Sequence, residues 1–450
     1  MELKGTFYKG TYLSRGEIPG ISFDYGIYVS DGADDLSKVA LIVDHDGLSE
    51  SHAEAMERLR TFGEAPAFVM IGVVAGEMFP TVEGGRQRGM RMLHYDIFSP
   101  QYASFIIDEF VPAMREQYGF GFSDDPDMHL AEGSSSGGIS AFAMTWFRND
   151  YFRRTYISSP SFLSMGGGRA VPDLIRKVET KPIRIYMEYS QNEPDAYFGA
   201  TYPTCLDTTA SLDFAGYEYY CRYFPREGHG SRYCSVDSLV EGYKYLWRNW
   251  ETEKVTVKKV SDYVERVVDF TEDWEKTDFF PQKETPLSPD GRAYTFDDHS
   301  VYLGGEEVAS GFDGLSSVAV SADGWRFYTA DRRRGSLGLS AISPGGTLQK
   351  RMQFAVLHQS VGFEFPGAFD MCIDDGDRVW CATEMGIQVV RTFGLVDVIL
   401  PLPGLAIPRE VAFDGDVIYA RTDCGIYKRK TKTGRHGDGE VALRCVGYYD

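Results

Sequence analysis

The chain has 450 residues, with 46 Lys and Arg set against 66 Asp and Glu, a formal net charge of −20 at pH 7. That balance excludes a nucleic-acid or anionic-membrane partner, because both are held by clustered Lys and Arg. Length alone allows roughly two to four domains, each able to bury a core. Seven cysteines (Cys205, Cys221, Cys234, Cys372, Cys381, Cys424, Cys445) are scattered without C-x-x-C spacing, so neither a disulfide framework nor a zinc site is expected. Met1-Glu-Leu-Lys4 opens with no charged-then-apolar leader, and no apolar run reaches the roughly 18 residues a membrane span needs, so a soluble cytoplasmic protein is expected.

In chain order, strand-like runs around Thr6–Leu13, Ser22–Val29 and Val39–Val43 are separated by Gly, Pro and Asp turn residues. His52–Arg60 contains no Gly or Pro and reads as a helix capped by Ser49 or Ser51. Ala67–Val74 is almost wholly apolar, which suits a buried parallel strand. Helical periodicity returns from Tyr102 to Tyr118. A short strand from Met128 then breaks into Gly133-Ser134-Ser135-Ser136-Gly137-Gly138, after which Ile139, Phe142, Ala143, Trp146 and Phe147 follow at helical spacing. Further elements are expected at Thr155–Ser158, Val171–Val178 (helix), Ile183–Glu188, Glu218–Phe224 and Val236–Trp250 (helix). This alternation of strand and helix predicts an α/β fold with a mostly parallel sheet covered on both faces.

Residues 1–252 are therefore expected to form one domain and the charged stretch 253–283 a connection. From 284 to 450 the texture changes to short strands with turns. Four phrases recur, LSPDGRAYTF, VSADGWRFYTAD, IDDGDRVWCAT and FDGDVIYART, each read as a strand, an Asp-Gly turn and another strand. Their Asp290, Asp323, Asp375 and Asp414 are 33, 52 and 39 residues apart, periods that fit β-propeller blades.

The strand, Gly-x-Ser-x-Gly and helix sequence places Ser135 at the tip of a strained turn, the arrangement that exposes a nucleophilic hydroxyl. A serine hydroxyl is a poor nucleophile unless a neighbouring base takes its proton, usually a histidine oriented by a carboxylate. Between Ser135 and residue 253 the only histidine is His229, in a Gly-flanked loop directly after a strand. The loop after Ile183–Glu188 offers two carboxylates, Glu193 and Asp195. For the oxyanion, one N–H is expected from Ser136 and another from Gly47 or Leu48, in Val43-Asp44-His45-Asp46-Gly47-Leu48. Asp44, His45 and Asp46 invite a metal reading, but acidic turn residues are commoner, and no metal or other cofactor is expected. Arg91 could clamp an acidic substrate or form an ion pair.

Taken together, DHDG at the oxyanion loop, AEGSSSGGISAF at the elbow, YSQNEPD at the acid and REGHG at the histidine resemble the enterochelin-esterase-like branch of the esterase D and feruloyl-esterase group of α/β-hydrolases. The resemblance covers residues 1–250 and implies Ser135 as nucleophile, His229 as base and Glu193 as acid, where such sequences usually have Asp. Residues 284–450 resemble gluconolactonase and senescence-marker-like propellers, most clearly in CATEMGIQVV and ILPLPG. That family's metal ligands fall here at Glu284, Ser316 and Phe369, so a metal-free, non-catalytic module is implied, too short for six blades and serving in packing, cleft walls or oligomer contacts. The expected activity is hydrolysis of a small soluble ester through an acyl-enzyme, the ester being a sugar, phenolic or siderophore-type compound. Tyr197 is among the aromatic residues expected to meet it. A non-catalytic scaffold with a hydrolase fold and an acyltransferase are the alternatives.

Overall fold

Burial alternates along Thr6–Leu13 (β1) and Ile21–Val29 (β2), an antiparallel pair in register from Thr6 opposite Val29 to Leu13 opposite Ser22. The computed structural model describes residues 3–32, 35–78, 88–359 and 364–435. Cys445 lies outside them. The chain divides into two units, one comprising residues up to Arg176 with Thr180–Lys259, the other Lys177–Glu179 with Val260 onward.

In the first unit, β3 (Val39–His45) is followed by α1 (Glu50–Thr61), β4 (Ala67–Val73), the two-residue strands β5 (Glu77–Met78) and β6 (Arg88–Gly89), and α2 (Arg91–Tyr95). After α3 (Gln101–Ser104), a π-helical turn at Phe105–Phe110 and α4 (Val111–Tyr118) complete what the sequence predicts as one helix. Pro112 lacks the N–H that an α ladder would direct back to Asp108, and the ladder changes register just before it. Next come β7 (His129–Ser134), α5 (Ser136–Phe147), β8 (Arg154–Ser158), α6 (Val171–Lys177), β9 (Arg184–Asn192) and the small hairpin β10 (Asp195–Ala196) and β11 (Gly199–Ala200). α7 (Thr201–Ala215), β12 (Glu218–Gly228) and α8 (Val236–Trp247) finish the unit.

The main sheet has ten strands in the order β12-β9-β8-β7-β3-β4-β2-β5-β6, with β1 on β2. From β12 to β4 all neighbours are parallel, and β2 is antiparallel to β4. Every β3 side chain is buried, as a central strand covered on both faces requires. One face packs Ile42, Phe68, Leu130 and Tyr156 against Met56 and Leu59 of α1 and Leu239 and Trp247 of α8. α5 packs on β7, β8 and β3 beside α2 and α3.

α7 is not predicted by the sequence. Thr201, Thr204, Thr208, Thr209 and Pro203 are poor helix formers, but Thr204 and Thr208 return their hydroxyls to the carbonyls of Ala200 and Thr204, and Leu212 and Ala215 are buried. Packing outweighs propensity there.

The second unit contains α9 (Asp262–Glu265) and strands β13 (Glu275–Thr277), β14 (Tyr294–Phe296), β15 (Ser300–Leu303), β16 (Glu306–Ser310), β17 (Leu315–Val320), β18 (Arg326–Asp331), β19 (Ser336–Ala341), β20 (Met352–Val356), β21 (Asp370–Ile373), β22 (Val379–Thr383), β23 (Gly386–Val390), β24 (Val396–Leu400), β25 (Pro408–Thr422) and β26 (Gly425–Arg435). Among the described residues they make four antiparallel sheets, β14-β15-β16, β17 to β20, β21 to β24, and β13-β26-β25. Two of the recurring phrases turn between strands as predicted, at Ser321 to Trp325 and Asp374 to Asp377. The first, with its Ser288 to Arg292 turn, closes on an isolated bridge, Leu287 to Ala293, ahead of β14. The fourth does not: FDGDVIYART runs within the single long strand β25, whose partner is β26. Segment 253–283 supplies β13, which adds to the sheet of β25 and β26.

Glu284, Ser316 and Phe369 each have partners within the second unit. Glu284 pairs with Arg435 at 3.0 Å, Ser316 donates to the Ala368 carbonyl at 2.6 Å, and the Phe369 ring takes the Arg409 guanidinium at 4.3 Å. No helix among the described residues is long and apolar enough to cross a membrane.

Candidate active site

Ser135 sits between β7 and α5 with φ 60° and ψ −122°, a conformation that costs a non-glycine residue on the order of 1–3 kcal/mol. Its surroundings enforce it. The Ser135 N–H donates to the Ser158 carbonyl at 2.9 Å, and its own carbonyl accepts from Ser161 N–H at 3.0 Å. A Cβ on Gly133 would lie 2.4 Å from the backbone of Gly137, so only glycine lets strand and helix approach this closely. The Ser135 hydroxyl is within 3.3 Å of Ser161 Oγ, and no hydrogen bond among the described residues joins it to His229.

β9 and β12 run parallel, and after a bulge between Phe224 and Gly228 the register resumes with Gly228 opposite Asn192. The next residue on each strand is then His229 and Glu193. Glu193 Oε2 lies 2.5 Å from His229 Nδ1, while its Oε1 accepts from Ser190 N–H at 2.8 Å and from Ser159 Oγ at 2.6 Å. The Glu193 side chain is fully buried and that of His229 is 30% exposed. Burial raises the carboxyl's pKa, but the hydrogen bonds from His229, Ser159 and Ser190 outweigh it and leave the pKa below the usual Glu value. With Nδ1 facing the carboxylate, Nε2 is free to take a proton. Gly230, following the histidine, donates to Ser159 Oγ at 3.1 Å and lies against Ser134 Oγ, which sets the histidine loop beside the elbow. Asp195 instead begins the β10–β11 hairpin, exposed and paired in register with Ala200.

On the other side of the elbow, Gly137 packs against His45 and Asp46. Asp46 and Gly47 have positive φ, 67° and 103°, which bends the chain sharply after β3, and the Gly47–Leu48 backbone lies over Gly72, where no side chain would fit. The Asp46 N–H donates to Tyr95 Oη at 3.2 Å. The N–H groups of Gly47, Leu48 and Ser136 donate to no described residue, the last because it opens a helix.

Arg91 forms a two-point ion pair with Asp46, Nε to Oδ1 at 2.8 Å and Nη2 to Oδ2 at 2.7 Å. This supports the ion-pair reading over the clamp. It also neutralises a carboxylate next to where an oxyanion would form. Arg91→Ala is therefore expected to lower kcat about tenfold for neutral esters with KM nearly unchanged; steady-state kinetics in which only KM for acidic esters rises would restore the clamp.

Asp44, His45 and Asp46 diverge rather than converge. His45 Nδ1 donates to the Glu132 carbonyl at 2.7 Å, burial pulls its pKa down to about 4, and Asp44 faces His52 of α1 and accepts from Tyr233. Tyr197, at the tip of the β10–β11 hairpin two residues past Asp195, is 96% exposed. Phe142, Trp146 and Phe162 are buried in the core.

Sequence reading missed the roles of Ser159, which bonds Glu193 and the loop of His229, and Ser161, which bonds Ser135. The signal was there in the run of hydroxyls Ser158-Ser-Pro-Ser161, directly after the strand next to the elbow strand.

No family model and no curated protein matches this chain. Solved structures with a similar fold include a ferulic acid esterase, 15% identical over 54% of this chain and 98% of that one, TM-score 0.42. Others are the enterochelin esterase of Shigella flexneri, 18% identical over 54% of this chain and 58% of that one, TM-score 0.40, and an S-formylglutathione hydrolase from Agrobacterium tumefaciens, 11% identical over 55% and 97%, TM-score 0.41. The chain thus spans little more than half the length of the Shigella flexneri protein. These neighbours cover the N-terminal part alone, and the likeness of residues 284–450 to a gluconolactonase-type propeller has no support from them.

Proposed function

We propose that the first unit is a serine carboxylic-ester hydrolase with Ser135 as nucleophile, His229 as base and Glu193 as the acid that orients it. The observation that carries this is the 2.5 Å contact between Glu193 and His229 Nδ1 on a loop that packs on the strained Ser135 elbow. Ser135 Oγ attacks the ester carbonyl carbon while its proton passes to His229 Nε2. The negative oxygen that forms is held by the N–H of Ser136 and one from Gly47 or Leu48, none of which has another acceptor among the described residues. Collapse of the intermediate breaks the bond to the alkoxy group, which leaves with the proton from His229. A water then repeats the sequence on the acyl-enzyme, releasing the acid and restoring Ser135.

The substrate reading is an aromatic or sugar-bearing ester. Exposed Tyr197, with Phe198 at 4.9 Å, follows the acid, and Tyr202 and the exposed Tyr223 form a ring cluster with buried Tyr189, centroids 5.5–6.0 Å apart. Flat rings stack on such a surface better than a long alkyl chain. Hydroxycinnamoyl, phenolic or acetylated sugar esters are expected to show higher kcat/KM than p-nitrophenyl esters of about eight or more carbons, in a panel assay with and without added alcohol. Best turnover on the long esters would refute the substrate class, and hydrolysis of no ester would refute the enzyme. Transfer to the alcohol in preference to water would make it an acyltransferase.

A second reading keeps the fold as a non-catalytic scaffold. It draws on the Ser135 hydroxyl contacting Ser161 rather than His229. For the C-terminal unit we read a non-catalytic module of blade-like sheets; the packing of β17 beside β21 and of β21 beside β25 supports it.

A further inference from the structure

Three chain segments carry the pieces of the proposed site, and one buried side chain touches the base of all three. His52 lies on α1, just past the Gly47–Leu48 loop, with no exposure. Its Nδ1 is 2.9 Å from Glu132 Oε1 and 3.5 Å from Asp44 Oδ2, and its Nε2 is 3.0 Å from the Tyr233 carbonyl. Asp44, the penultimate residue of β3, lies three residues before Gly47, Glu132 precedes Ser135 by three on β7, and Tyr233 follows His229 by four. The carboxylates are held in turn. Tyr233 Oη donates to Asp44 Oδ1 at 2.9 Å, and Tyr243 Oη on α8 reaches both oxygens of Glu132 at 2.8 and 2.7 Å.

A carbonyl oxygen can only accept, so Nε2 must carry a proton. Nδ1 faces carboxylate oxygens, which also accept, so a second proton there makes the ring an imidazolium that serves both sides. The donor atoms of Asp44, His52 and Glu132 lie within 4.8 Å of one another, a spacing a cation could use, but the tyrosine hydroxyls and the imidazole already engage these carboxylates. Burial works against the imidazolium, yet the Asp44 and Glu132 charges prevail and raise the His52 pKa to about 9. Burial also raises the Asp44 pKa above the ordinary carboxyl range, and the His52 charge and the Tyr233 hydroxyl work against that rise by favouring the carboxylate. The next carboxylate outward, Glu188 on β9, is occupied by Ser158 and Tyr156.

We propose that His52 is a positioning residue of this site, an imidazolium clamp joining the ends of β3 and β7 to the loop after His229, so that the oxyanion N–H groups, Ser135 and His229 hold one geometry. It touches no substrate. Its catalytic consequence rests on the hydrolase reading; the protonation of its ring does not.

The test uses the full chain. With histidine labelled in nitrogen-15, the His52 ring is expected to show both nitrogens protonated at pH 7.5, and a neutral ring overturns the clamp. His52→Gln keeps a donor but no charge, and kcat on the best ester should fall about 10–100-fold while KM stays within about twofold, as for misplacement of reacting groups. Because the folded pKa lies above the unfolded value of roughly 6.5, the clamp is complete below that value and is lost as pH rises through about 9. Wild-type kcat should decline across that limb, and His52→Gln should lack it. Should His52→Gln fail to fold, Tyr233→Phe removes only the hydroxyl on Asp44 and is expected to move the limb to lower pH with KM unchanged. If Ser135-dependent hydrolysis is present but these variants keep wild-type kcat and the same limb, the clamp fails alone; if the wild type cleaves no ester, the hydrolase reading fails and the ring measurement still decides the clamp.

Discussion

Ser135→Ala and His229→Ala are each expected to reduce kcat for ester hydrolysis by about 10⁵–10⁶-fold, and the double variant no further, because nucleophile and base act as a unit. The protein should remain folded. Among the described residues the Ser135 hydroxyl makes one side-chain hydrogen bond, to Ser161 Oγ at 3.3 Å, and the backbone bonds that hold the elbow involve no atom the substitution removes. His229 is partly exposed, so its loss opens no sealed cavity. More than about a tenth of wild-type turnover in Ser135→Ala would remove that residue from the chemistry.

The second large effect separates the two carboxylates. Glu193→Gln is expected to cost about 10⁴-fold in kcat, since an amide in place of the carboxylate lets the imidazole adopt the wrong tautomer. Asp195→Asn, on an exposed hairpin, should stay within about twofold. A pH dependence goes with this. The Glu193 pKa is lowered in the folded protein by its hydrogen bonds against the effect of burial, so its contribution to stability is present above the unfolded carboxyl pKa and is lost as pH falls through the folded value. Thermal melts of Glu193→Gln should therefore show a shallower acid limb than wild type. If Asp195→Asn were the damaging change, the acid role would move there.

Much of the α/β unit is legible in the sequence because its strands are buried on both faces and its turns carry glycine. Val39–Val43 reads as a strand and Ala67–Val74 as an apolar run, and Gly133 and Gly137 mark the close strand–helix approach. Residue order along the chain also singles out His229 and offers two carboxylates, of which the resemblance prefers Glu193. That Glu193 rather than Asp195 meets the imidazole follows from the register of β9 and β12, including a bulge that no local pattern announces. Ser159 escapes for a similar reason, since its partners lie 34 and 71 residues away in sequence. The His52 cluster is hidden differently: Asp44, His52, Glu132 and Tyr233 are scattered along the chain, and polar residues in strand and helix interiors read as surface until the fold buries them. In the second unit the Asp-Gly turns are readable, but FDGDVIYART has the same composition and stays within β25, where Gly415 takes a positive φ at a register shift against β26 instead of reversing the chain.

The central claim is that Ser135 is a reactive nucleophile, and a serine-directed phosphonate tests it most directly. Full-length protein is incubated with the probe, digested and mapped by mass spectrometry, with His229→Ala alongside. The account predicts near-stoichiometric modification at Ser135 in the wild type and far slower labelling in His229→Ala. Folded wild-type protein that stays unlabelled at Ser135, or that is labelled at another serine instead, would contradict it.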